Sequence, residues 1–119
     1  MYSKLVVYRS ELNSKAISKY KISGILCELI LSKELFKRNS DISIFLKETL
    51  FLEFKEYIFA SRTSILSRTI REIPEEKEEK YTMYKNNLLN FVIKNIEIIK
   101  KEKNIIEKKE KFLDGWIKW

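Results

Sequence analysis

A single proline, Pro74, and two glycines, Gly24 and Gly115, punctuate the 119 residues of this chain. Sheet proteins reverse direction repeatedly and recruit Gly, Pro and Asn-Gly pairs to do so. An all-β fold is therefore excluded, and long helices are expected. At this length the chain fits one hydrophobic core and has no room for a second sizeable domain. The reading is an all-α small helical bundle, one domain over residues 1–119, with a long C-terminal amphipathic helix.

Pro74 is the clearest boundary. It disfavours helix at Ile73 and suits the first turn of the next helix, where Glu75, Glu76, Glu78 and Glu79 meet the positive end of the helix dipole. That helix is expected from Glu75 to about Leu113. Tyr84, Phe91, Ile98, Ile105 and Phe112 recur every seven residues, accompanied by Val92, Ile99, Ile106 and Leu113. The positions four further on, among them Asn95, Glu102 and Lys109, are polar, so the seam is not a full coiled coil. A break is expected in the charged stretch Lys100–Asn104, leaving 104–119 as a separate tail helix ended by Gly115.

Before Pro74, the segment Phe54–Ile73 reads as one helix. At about 100° per residue Ile58, Phe59, Ile65, Leu66, Ile70 and Ile73 share a broad face. Lys55 and Arg62 fall within this apolar stripe, one above the other, whereas Arg68 and Arg71 point away from it. Upstream, Ile22, Ile25, Leu26, Leu29, Ile30 and Leu35 give a helix from about Gly24 to Arg38. Asn39, Ser40 and Asp41 then break the pattern and cap a third helix, with a bend expected near Leu50–Phe54. Lys4–Arg9 reads as a short strand or an extended arm over 1–9, because Val6, Val7 and Tyr8 favour β structure. A first helix would begin near Ser10 or Asn13.

Twenty-four Lys and Arg against seventeen Asp and Glu give a net charge of +7. The surplus is spread as +4 over residues 1–50, +1 over 51–74 and +2 over 75–119, so there is no polycationic tail. A basic balance of this kind suits nucleic acid, and it also arises where charges solvate helices. Cys27 is the only cysteine and there is no histidine, so neither an intrachain disulfide nor the usual zinc and nucleophile–histidine sites can be built. No Gly-rich phosphate loop is present. A non-enzyme without metal or cofactor is expected. The N-terminal apolar run is too short for a signal peptide, and no apolar stretch approaches the roughly 20 residues of a membrane span. A cytoplasmic protein without membrane contact is expected.

The candidate nucleic-acid residues are Arg68 and Arg71, joined by Ser64 and Ser67, with Lys37 and Arg38; Arg and Ser are common phosphate donors. A helix-turn-helix over Ser23–Leu52 is weaker, since its second helix is too apolar to read bases. The candidate partner interface comprises Lys55, Arg62, Ile98, Ile105, Phe112, Trp116 and Trp119. Two readings of Arg62 stay open. It snorkels or pairs with an intrachain acid such as Glu28, Glu48 or Glu97, or it anchors a partner subunit or a phosphate backbone.

The run ILSRTIREI followed by PEEKEEKYTMYKNNLLNFVI resembles the helical A-domain of archaeal GINS subunits over Phe54–Ile99. That family carries a long basic helix followed by a helix begun by Pro and Glu. The resemblance implies a non-catalytic replication scaffold that assembles with other subunits and bridges an MCM helicase to a RecJ-like partner, with Arg62, Arg68 and Arg71 in assembly surfaces. The leading expectation is accordingly a helical subunit or adaptor of a nucleic-acid-processing assembly, oligomeric and able to contact DNA. Alternatives are an autonomous DNA- or RNA-binding protein of a mobile element or virus, and a protein inhibitor of a defence complex.

Overall fold

The computed structural model describes residues 1–73 and the backbone of 78–117, with side chains from Glu79 through Lys109 in the latter part. Among the described residues there are five α-helices and no strand: α1 (Tyr2–Asn13), α2 (Lys19–Leu31), α3 (Asn39–Phe45), α4 (Arg62–Glu72) and α5 (Glu78–Ile117). A π-helical turn (Leu46–Leu50) and a 3₁₀ turn (Glu56–Ala60) lie between α3 and α4. The all-α class with a long C-terminal helix is as expected.

The segment expected to be a strand or arm is helical. In α1, Leu5, Tyr8 and Leu12 are buried at helical spacing, and the helix packs along α5. Burying that stripe outweighs the β preference of Val6 and Val7, a propensity worth at most about 1 kcal/mol across its whole scale. The two helices run antiparallel. Lys85 Nζ donates to Ser14 O at 2.8 Å at one end, while Tyr2 borders Ile99 and Lys103 at the other. Ser10 and Asn13 thus close the first helix rather than open it.

Helix α2 begins five residues before the expected Gly24, because Ser18 is its cap: Ser18 Oγ accepts the Lys21 N–H at 3.2 Å. It ends at Leu31, not Arg38, and Ser32 turns the chain into extended backbone. Helix α3 starts at Asn39, so Asn39, Ser40 and Asp41 form its first turn and are not a cap ahead of it; its entry is fixed by the Arg38 N–H donating to Asp41 Oδ2 at 3.1 Å.

The expected Phe54–Ile73 helix is divided. The π turn ends at Phe51, the only non-glycine residue with positive φ (55°) among those described, and residues 51–55 are irregular. The 3₁₀ turn follows, and Ser61 in extended conformation caps α4 by accepting the Ser64 N–H at 3.2 Å. The bend expected near Leu50–Phe54 is therefore a complete interruption. Lys55 and Arg62 consequently do not share a helix, and the two-cation stripe does not exist.

Helix α4 ends at Glu72, and the Tyr81 hydroxyl of α5 donates to the Ile73 carbonyl. Pro74, Glu75 and Glu76 lie outside the described residues. The start of α5 is Glu78, and it continues without interruption through Lys100–Asn104 and past Gly115, so no separate tail helix forms. Its 40 residues span about 60 Å at 1.5 Å per residue. That length dominates a molecule measuring 64 × 36 × 18 Å.

The core lies between α5 and the remaining helices. Tyr81, Tyr84, Leu88, Val92 and Ile96 form the buried line of α5 against Leu5, Leu12, Leu26, Ile42 and Leu46. Phe36, Phe45 and Phe91 make an aromatic cluster with ring centroids 4.5–6.0 Å apart. Asn87 Nδ2 donates to Thr49 O at 3.0 Å and ties the π turn to α5.

Candidate functional site

Two surfaces collect most of the residues singled out in the sequence. The first is the outer face of α4. Its amphipathic pattern buries Ile65 and Thr69, with Leu66 and Ile70 half-buried, and leaves Thr63, Ser64, Ser67, Arg68 and Arg71 in solvent. The 3₁₀ turn brings Tyr57 and Ile58 alongside, and together they line a shallow cleft of about 290 Å³. Arg68 is partly engaged: its Nε lies 3.5 Å from Glu72 Oε1 and its guanidinium carbon stands 6.0 Å from the Phe54 ring centroid. Guanidinium and hydroxyl donors on one exposed helical face are the chemistry that holds phosphate oxygens.

Arg62 is differently placed. At the first position of α4 its Nη1 donates to Ile30 O at 3.0 Å and to Ser32 O at 3.2 Å, and Nη2 donates to Phe36 O. These are carbonyls at the C-terminus of α2 and in the turn after it. The last carbonyls of a helix lack intrahelical donors and carry the negative end of its dipole, so a cation there is doubly favoured. The intrachain acids Glu28, Glu48 and Glu97 are not its partners. Its guanidinium is instead held by three backbone carbonyls within the fold.

The same contacts hold Lys37 and Arg38 near the N-terminal end of α4, because Phe36 is bound by Arg62 and Asn39 Nδ2 donates to Phe59 O at 2.9 Å. Both cations are exposed. Arg68 and Arg71 lie six and nine residues beyond Arg62, about 9 and 14 Å along the helix axis. Lys55 is exposed and opens the 3₁₀ turn, its carbonyl accepting the Ile58 N–H at 3.0 Å.

The second surface is the distal part of α5. Ile98, Ile105 and Ile106 are 43%, 53% and 56% exposed. A straight helix drifts by about 20° per heptad, which rotates Ile98 and Ile105 off the line that continues Tyr84 into the core. Ile106 has a different reason: it keeps the core-facing phase, but α1 has already ended beside it. Phe112 and Trp116 belong to the helical part of α5, though their side chains lie outside the described residues, as does Trp119 altogether.

Cys27 is half-buried, and desolvation pushes its thiol pKa up against a smaller opposing backbone hydrogen bond. Among the described residues no cluster of three Cys, Asp or Glu side chains is arranged to hold a metal ion, and no helix is long and apolar enough to cross a membrane. Sequence reasoning missed Tyr57 and Thr63 as cleft residues. The Ser61-x-x-Ser64 spacing was an available sign that a helix starts at Arg62.

In comparisons with protein families, curated proteins and solved structures, nothing matches this chain.

Proposed function

We propose that this protein is a non-catalytic helical subunit or adaptor of a nucleic-acid-processing assembly. The observation that carries the reading is the distal half of α5, which outruns the bundle with a row of exposed isoleucines. A helix that leaves its own core with an apolar stripe is incomplete until another chain covers it. The Arg68–Arg71 face of α4 supplies the second half of the reading, a contact with phosphate oxygens that positions the assembly without reading sequence.

The most specific form is a GINS-like replication factor, for which the Phe54–Ile99 sequence pattern is the support. Helix α4, with 11 residues, is shorter than the long basic helix that family implies. An autonomous DNA- or RNA-binding protein is the second reading, favoured by the same α4 face.

The test is a gel shift of the full chain on duplex DNA across a salt series. Binding should weaken steeply with salt, and the double variant Arg68→Ala/Arg71→Ala should flatten the log–log slope by about 2. Absence of binding at low salt would remove the nucleic-acid half of the proposal. A slope unchanged in the double variant would move the contact away from α4.

A further inference from the structure

On the distal part of α5 two charged side chains stand inside the apolar row rather than beside it. Helical neighbours lie three and four residues away, and for Glu102 all four of these are isoleucines: Ile98, Ile99, Ile105 and Ile106. Lys109 has Ile105 and Ile106 before it and, in sequence, Phe112 and Leu113 after it. Neither residue can form an ion pair with a helical neighbour, and neither has a salt-bridge partner among the described residues. Both are exposed, so each charge is solvated until something covers the row.

Resting on the reading of α5 as an assembly arm, we infer that the chain covering it is a second copy of the same protein, paired antiparallel about a two-fold axis between Ile105 and Ile106. In that register Ile105 of each copy faces Ile106 of the other. Glu102 then faces Lys109 of the partner copy, on both sides of the axis. The register leaves both charges paired inside apolar surroundings, which a partner lacking these charges would not do. Parallel pairing in register is disfavoured by the same residues, since it sets Glu102 against Glu102 and Lys109 against Lys109. A two-fold contact is self-complementary, and this strip has opposite charges placed symmetrically about its apolar centre.

Sedimentation equilibrium of the full chain tests this, with the duplex gel shift run on the same samples. The wild type should dimerise reversibly. Glu102→Lys and Lys109→Glu should each weaken the dimer roughly tenfold, because two attractive pairs become repulsive. The combined Glu102→Lys/Lys109→Glu chain should recover it. Since both positions are exposed, these variants keep the fold, which circular dichroism verifies. A dimer indifferent to the reversals overturns the register, and a monomer at every concentration overturns the pairing. A monomer that still shifts duplex overturns the pairing and leaves the function proposed above standing. A charge-sensitive dimer that shifts none supports the pairing and overturns the nucleic-acid half of that function.

Discussion

The Arg62 guanidinium donates at 3.0 Å to the carbonyl of Ile30, 32 residues earlier in the chain. This contact, repeated to Ser32 and Phe36, brings the N-terminus of α4 to the C-terminus of α2. A cation that the sequence sets among apolar residues is thus a helix cap supplied from a distance.

Arg62→Ala should therefore destabilise the fold, because it leaves partly buried carbonyls without donors. Charged hydrogen bonds contribute about 1.5–3 kcal/mol, and stranded acceptors add to the loss, so about 3 kcal/mol is expected. Urea denaturation followed by circular dichroism measures it. Arg62→Lys should recover only part, since a point charge cannot reach three carbonyls as a planar fork does. A loss below about 0.5 kcal/mol would mean that water replaces the guanidinium at no cost.

Gly24 lies inside α2, exposed, and a Cβ built there meets nothing within 4 Å. Gly24→Ala should raise stability by about 1 kcal/mol, the difference in helix propensity. The same position lines a cleft of about 440 Å³ between α1 and α2. Thermal unfolding would report the gain as a higher Tm.

Phe51 holds φ 55° and ψ 34° while 64% exposed. The left-handed region costs an ordinary residue about 1–2 kcal/mol, and glycine avoids that at the expense of greater unfolded-state entropy. Phe51→Gly should stabilise by about 0.5 kcal/mol net. A clear loss would instead mean that the ring makes contacts worth more than the strain.

The Cys27 thiol, raised by desolvation, should alkylate more slowly at pH 8 than a free cysteine. The sign follows from the smaller thiolate fraction at any pH below its pKa. Timed iodoacetamide labelling with mass spectrometry measures the rate, and unfolding in urea should restore the free-thiol value.

Much of the fold was legible where apolar spacing and caps agreed. Ile25, Leu26, Leu29 and Ile30 announced α2, Asn39–Asp41 announced α3, and Tyr84 and Val92 announced part of the buried line of α5, whereas the expected heptad seam leaves that line at Ile98 and Ile105. The errors lay where local signals conflict with packing. Val6, Val7 and Tyr8 suggested extended chain, yet Leu5, Tyr8 and Leu12 gain more by burial against α5. In the segment Glu48–Tyr57 the apolar residues are too dense for a wheel to fix phase, and the interruption at Phe51 has no Gly or Pro to mark it. At the candidate site, Arg68 and Arg71 were legible as exposed cations from their phase on α4, whereas the turn that brings Tyr57 beside them was not.

The sequence by itself determined the class: scarce turn residues and helical periodicity leave little besides a helical bundle with a long C-terminal helix. Only the tertiary structure decided which cations remain available. Arg62 is bound to carbonyls distant in sequence, and such a contact has no local signature, because any helix end offers acceptors and only chain folding selects the donor. Helix continuity through Lys100–Asn104, by contrast, follows from local propensity, since Lys and Glu are good helix formers and need no core to continue one.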